Sequence, residues 1–257
     1  METAARPTAW PGTGEFHGIG SRFALDPYQL IGMVGYRLVG MEPMTPPQHE
    51  SKTRFLEATL NVVRAKGYAA TRIEDVCAEA GLTKGSFFHH FKSKDDLALA
   101  AVAHWDARST GQFTTAPYHD PDDPRDRLLA YVDFRKAILT GELPEFTCLA
   151  GTLVQEVYGT HPEIRAACER NICGHAKTLE ADIREAMRKY AVRSDWTAES
   201  LALHTQSVIQ GAFILAKAKG SAVVAAESLG HLRRYLELLF AKPGKGRSPR
   251  PRGKPAS

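Results

Sequence analysis

Apolar positions from Ser51 onward recur with the period of a helix. Phe55, Ala58, Thr59, Val62 and Val63 fall at i, i+3, i+4, i+7 and i+8, and Gly67 stands where a C′ glycine would close such a helix. A first helix is therefore expected over about residues 48–66. Thr71-Arg72-Ile73-Glu74 has the Thr-x-x-Glu form of a capping box and predicts a short second helix with Ile73, Val76, Cys77 and Ala80 on its inner face. Gly81 breaks it and Leu82 supplies an apolar plug. Thr83 is placed to cap a third helix ending near His90, and Ser93 a fourth from Lys94 to about Thr110. The stretch from Gly111 to Pro124 reads as a turn-rich linker.

Beyond that linker the pattern predicts helices at about 124–140, 144–158, 162–190, 197–219 and 222–241. Pro144 and Pro162 sit where first-turn prolines belong, Gly141, Gly159 and Gly220 mark breaks, and Ser221 is placed to cap the last helix. No segment alternates with period 2 over the length of a strand, so the expected fold class is all-α. Residues 1–47 carry Pro7, Pro11, Pro27, Pro43, Pro46 and Pro47 and are expected to form a disordered leader, with Met44 as a start for the folded protein.

The formal charge of +4 changes this picture little, because Lys242, Lys245, Arg247, Arg250, Arg252 and Lys254 all lie in the last stretch without an acid among them. The rest of the chain is net acidic, so any nucleic-acid site must be a local patch. Residues 242–257 are expected to be a basic disordered tail. No window approaches about 18 consecutive apolar residues, which argues against a membrane span. Cys77, Cys148, Cys168 and Cys173 lack C-x-x-C spacing, and no export signal is visible, so a reduced cytoplasmic protein is expected.

Two short helices joined by a glycine turn can set the second into a major groove about 12 Å wide while the first braces it. In the stretch Thr71 to Phe91, Ile73, Val76, Ala80, Leu82, Phe87 and Phe91 would form a small core. Thr83, Lys84, Gly85, Ser86, His89 and His90 would face outward. Hydroxyl, amine and imidazole groups suit phosphates and base edges, and Gly85 would let the backbone come close. Thr71, at the head of the bracing helix, would offer a hydroxyl to a phosphate, and Arg72 and Lys94 would hold the flanking backbone. His89 and His90 diverge by about 100° on a helix and have no thiol or carboxylate partner at i±4, so no metal site is expected there.

Gly67-Tyr68-x-x-Thr71, Ile73-x-x-Val76-Cys77-x-x-Ala80-Gly81-Leu82-Thr83-Lys84-Gly85-Ser86-Phe87-Phe88-His89-His90-Phe91, Lys94 and Leu97 together resemble the DNA-binding signature of the TetR family. Phe88 departs from it, since the family often has there a tyrosine whose hydroxyl bonds a phosphate. The resemblance implies an N-terminal three-helix helix-turn-helix DNA-binding domain, over 48–98, and a C-terminal helical ligand-binding and dimerisation domain, over 99–241. It further implies a homodimer on a palindromic operator in double-stranded DNA, acting as a repressor that a small-molecule effector releases.

Within the second domain, Trp105, Phe134, Phe146, Cys148, Leu149, Leu153 and His175 are candidates for an effector pocket, with Phe113 and Tyr158 also as walls and Gln155, Glu156 or His204 as polar contacts. Plain core is the competing reading of these residues. Leu201, His204, Val208, Gly211, Ala212, Leu215, Leu232 and Leu236 lie on stripes that suit a dimer interface, with the small Gly211 and Ala212 allowing close helix approach. Packing inside one subunit is the alternative. Cys148-Leu149-Ala150-Gly151 resembles an element of some TetR-type regulators, a few of which respond to electrophiles; an inert buried thiol is the other reading. An enzyme built on His175, Glu156 or a cysteine finds no nucleophile–base–orienter spacing, so no catalysis and no cofactor are expected.

Overall fold

A computed structural model of the chain describes residues 47–241, so the expectations for the leader before Pro47, for Met44 and for the tail at 242–257 lie outside the described residues. Among the described residues the elements are helices. These are α1 (Pro47–Lys66), α2 (Ile73–Ala80), α3 (Lys84–His90), α4 (Lys94–Thr114), α5 (Pro124–Ala137), α6 (Leu143–Phe146), α7 (Leu149–Val157), α8 (Pro162–Thr178), α9 (Glu180–Lys189), α10 (Ala198–Lys219) and α11 (Val223–Leu239), with a short 3₁₀ turn at Pro117–His119.

Local chemistry explains many of the boundaries. Thr83 Oγ1 accepts from the Ser86 N–H at 3.2 Å and Ser93 Oγ from the Asp96 N–H at 3.1 Å, so both predicted N-caps form. Gly81 takes the left-handed conformation (φ 61°) that ends α2, a geometry costly for any residue with a Cβ. Ser221 does not cap the last helix as expected: α11 begins at Val223 with Ala222 in the N-cap position and no side-chain cap, although Ser221 Oγ accepts the Val223 N–H at 3.2 Å just before it.

Four further expectations are corrected. Thr71 does not cap α2: its hydroxyl donates to the Gly67 carbonyl at 2.6 Å, Arg72 takes the N-cap position, and the Asp75 carboxylate accepts the Arg72 N–H at 2.7 Å. The helix expected at 144–158 is two, because Thr147 is extended (ψ 155°) and Cys148 caps α7 through its Sγ, which accepts from the Gly151 N–H. The helix expected at 162–190 is interrupted at Leu179, where α8 gives way to α9. Finally, Gly111 lies inside α4, which runs to Thr114 instead of ending in a linker, and no atom lies within 4 Å of where its Cβ would be.

Two main apolar cores result. In the first, Phe55, Val63, Val76, Phe87, Phe91, Leu97 and Ala101 of α1–α4 pack with Leu149, Leu153 and Ile164 of α7 and α8. The helix-turn-helix therefore shares its core with the following domain. The second unites α5 and α8–α11 around Tyr131, Ile183, Leu201, Ile209, Leu229, Leu232, Leu236 and Phe240. Fully buried side chains of this size contribute about 1.5–3 kcal/mol each.

Candidate nucleic-acid interface

Because Phe87 and Phe91 are four residues apart, both turn inward from α3. They meet Phe55 of α1 edge-on, with ring centroids 5.7 and 6.1 Å away, and this aromatic trio with Val76 and Ala80 fixes α3 against its brace. Arg54 of α1 donates to the Ala80 carbonyl at 2.5 Å, satisfying an acceptor at the open end of α2. Lys66 and Asp75, 2.5 Å apart, tie α1 to α2, and that ion pair is the first cause of the lowered Asp75 pKa.

The opposite face of α3 is open: Thr83, Lys84, Gly85, Phe88 and His89 are exposed. Lys84 forms an ion pair with Glu74 of α2, and its hydrogen bond holds the Glu74 carboxyl below the ordinary carboxylate range. Gly85 meets no demand from the fold. A Cβ there would lie 3.7 Å from Thr83 Oγ1, an ordinary contact, and the backbone is not left-handed. Glycine within a helix costs up to about 1 kcal/mol relative to alanine, so this residue is unexplained by the protomer alone.

Several predicted DNA contacts are placed differently. Thr71 is 3% exposed with its hydroxyl committed to Gly67, so it presents no hydroxyl to a phosphate. His90 turns toward α1, where its Nε2 lies 2.6 Å from Ser51 Oγ, and burial, then His89 and Lys52, lower its pKa. Lys94 donates to the carbonyls of Tyr68 and Thr71, both at 3.1 Å, and its ammonium lies 4.2 Å from the Tyr68 ring centroid; it lashes the α1–α2 turn to α4. Arg72 is exposed at the head of α2, while Ser86 is half-buried and spends its N–H on the Thr83 cap.

Phe88, noted in the sequence only as a departure from the family signature, is 57% exposed on this surface, one residue off the Phe87–Phe91 stripe. One further residue was missed. Lys52 is exposed on α1 with its ammonium 5.8 Å from the Phe91 ring centroid, and the polar run Ser51-Lys52-Thr53-Arg54 at the head of the helix was its only trace.

The reading module is fastened to α6 and α7 by two buried or half-buried polar groups. Arg64, 5% exposed on α1, donates to the carbonyls of Glu145 (2.9 Å) and Thr147 (3.4 Å), and its guanidinium lies 5.1 Å from the Trp105 ring centroid. Glu156 of α7 accepts the N–H groups of Tyr68 and Ala69 at 2.9 and 2.8 Å, which corrects its expected role as an effector contact. Gly67 makes room for that carboxylate: at φ 86°, a Cβ there would come within 2.5 Å of Glu156 Oε1.

The seven effector candidates do not converge on one cavity. Trp105, Leu149 and Leu153 belong to the first core, Phe134 and Phe146 flank the second, and Cys148 borders both. Of the seven, Cys148 lines a small cleft between α7 and α10. His175 is packed against Phe113 and hydrogen-bonded to the Tyr131 hydroxyl at 2.9 Å; burial, then Arg135, push its pKa down to about 3. Among the other expected walls and polar contacts, Tyr158 is exposed and His204 faces outward, stacked edge-on with Tyr235. Burial pushes the Cys168 thiol up to about 12.

The interface stripe divides as well. Leu201, Ala212, Leu232 and Leu236 are buried within the protomer, so for these four the intrasubunit reading holds, because the α10–α11 contact already consumes them. His204, Val208, Gly211 and Leu215 border that buried stripe on α10 and are exposed or half-buried, with Val208 also touching the second core. With Tyr235 of α11, whose ring stacks edge-on against His204, they leave apolar surface exposed along α10 and α11.

Residues 55–101 match the model of bacterial regulatory proteins of the tetR family, and residues 124–232 match that of the tetracyclin repressor-like C-terminal domain; together these span more than half of the chain. An uncharacterized HTH-type transcriptional regulator, YerO of Bacillus subtilis, is 39% identical over 57 residues, 22% of this chain and 20% of that protein. CymR of Pseudomonas putida, an HTH-type transcriptional regulator, is 45% identical over 51 residues, 20% of this chain and 25% of its own. The transcriptional repressor NemR of Escherichia coli is 23% identical over 127 residues, covering 49% and 64%. The matched part of this chain thus spans from 20% to 64% of the length of these curated relatives, less than two thirds in each. Crystal structures of TetR-family regulators from Agrobacterium tumefaciens (TM-score 0.65, 20% identity, 76% of this chain and 100% of that one) and Rhodobacter sphaeroides (0.64, 22%, 72% and 98%) share the fold.

Proposed function

This chain belongs to the tetR family of bacterial regulatory proteins, and from that premise we propose that it is a cytoplasmic, non-enzymatic repressor whose homodimer reads a palindromic operator through α3. A small molecule bound within residues 99–241 then releases it. The observation that carries this reading is Gly85. A costly glycine that the protomer does not need, centred on an exposed face of Thr83, Lys84, Phe88 and His89, makes sense where a backbone must lie close to a duplex. Arg72, Lys52 and Lys92 supply cations at the rim of that face.

The outward face of α10 and α11 supports two-fold association, which sets two recognition helices about 34–36 Å apart on successive major grooves. Because Arg64 and Glu156 fasten the reading module to α6 and α7, a shift of those helices on effector binding alters the spacing of the two heads. The repressor named among the relatives supports that direction of control.

The test is a fluorescence-anisotropy titration of the full chain, at fixed salt, with the DNA flanking its own gene and with shuffled DNA of the same composition. Preference for one fragment by a factor of about 10³ or more is expected. Equal affinity for every duplex refutes the proposal.

A further inference from the structure

The cleft between α7 and α10 encloses about 20 Å³, room for about one water or one carboxylate oxygen, and opens outward past the exposed Ile214 and Lys217; Thr147, Thr152, Gln210 and Phe213 are among its other walls. Three independent features make it electropositive and rich in hydrogen-bond donors. Lys217 donates to Thr152 Oγ1 at 3.0 Å and has no carboxylate partner in an ion pair among the described residues. Thr147 is 1% exposed, yet its hydroxyl has no hydrogen-bond partner. The nine-residue helix α7 begins at this point and adds the partial positive charge of its N-terminus.

The charges around the cleft reinforce that sign. Arg64 approaches from the α1 side, and after burial its charge is the second cause of the lowered Lys217 pKa. Two acidic groups act on Lys217 in the other direction: the Cys148 thiol, which lines the cleft and accepts the Gly151 N–H, and then Glu156, which is already committed to the N–H groups of Tyr68 and Ala69. An unpaired buried hydroxyl carries a real penalty, and an ammonium crowded by another cation is left short of negative charge. Both are relieved by one ligand with two acceptor oxygens. The remaining walls, Phe213 and Ile214, are apolar and suit a hydrocarbon substituent, which inorganic phosphate lacks.

We propose that this cleft is the effector subsite for a small organic carboxylate, held by Lys217 Nζ and the Thr147 hydroxyl with its hydrocarbon part against Phe213 and Ile214. The proposal rests on the reading of the chain as effector-controlled. It also states how control is exerted: the residue that binds the ligand through its hydroxyl offers its carbonyl to Arg64 of α1. Movement of Thr147 toward a bound carboxylate therefore loosens the fastening of the DNA-reading module.

Calorimetric titration of the full chain, without DNA, with sodium propionate and sodium benzoate, their neutral amides and inorganic phosphate tests the site. At least one carboxylate binds, while its amide and phosphate do not. Lys217→Met weakens binding about tenfold or more, Lys217→Arg retains most of it, and the near-isosteric Thr147→Val weakens it severalfold. Absence of binding by both carboxylates, equal binding of the amide, preference for phosphate, or an unchanged affinity in Lys217→Met overturns the subsite. The same carboxylate is then added to the complex with operator DNA, where release is expected; binding without release overturns the effector role. Since the first arm contains no DNA, its failure leaves operator recognition standing.

Discussion

Gly85 is the position where protomer stability and partner binding make opposite demands. Its Cβ site is open and its backbone ordinary, so Gly85→Ala is expected to stabilise the protein by a few tenths to about 1 kcal/mol. The same methyl group projects from the exposed face of α3 and should weaken operator binding. Thermal melts and anisotropy titrations measured side by side check this, and unchanged DNA affinity would remove the close-approach argument. Lys84 illustrates a second residue-level point. Its presence in the motif was readable, but its ion pair with Glu74 was not, since that contact depends on how the Gly81 turn folds α3 back toward α2.

At the scale of elements, local signals and packing contribute differently. Thr83 and Ser93 cap their helices through contacts three residues long, which any spacing argument can find. The break between α6 and α7 was invisible because Arg64, more than eighty residues earlier, captures the carbonyls that a continuous helix would use internally. Glu156 is the counterpart of Arg64, tying α7 to the turn after α1. Glu156→Ala leaves two backbone N–H groups, one of them partly buried, without their acceptor, so a loss of about 1 kcal/mol is expected. Hydrogen exchange should accelerate at Tyr68 and Ala69 and stay unchanged in α10 and α11. Uniform acceleration across the chain would mean that the contact supports global stability instead of a local fastening.

For the molecule as a whole, the decisive surface is the apolar face of α10 and α11. Leu215, 47% exposed, sits on it beside Gly211, where no atom lies within 4 Å of the Cβ position. If two copies meet there, Leu215→Glu brings like charges together across the two-fold axis. The expected result is a monomer in analytical ultracentrifugation, with an unaltered helical spectrum and strongly reduced operator binding. A dimer that persists in this variant places the association surface elsewhere.

By itself the sequence determined the helical class, the Gly81 turn, two N-caps and the inward Phe87–Phe91 pair, because each depends on neighbours within a few residues and on a 3.6-residue period. Tertiary structure decided which polar residues remain available. Thr71, His90 and Lys94 carry the right chemistry for DNA but spend it on Gly67, Ser51, Tyr68 and the Thr71 carbonyl. Half of the apolar stripe on the last two helices goes into their mutual packing. Each N–H or O–H hydrogen and each apolar face can be used once, and only the three-dimensional arrangement reveals which of them are already taken.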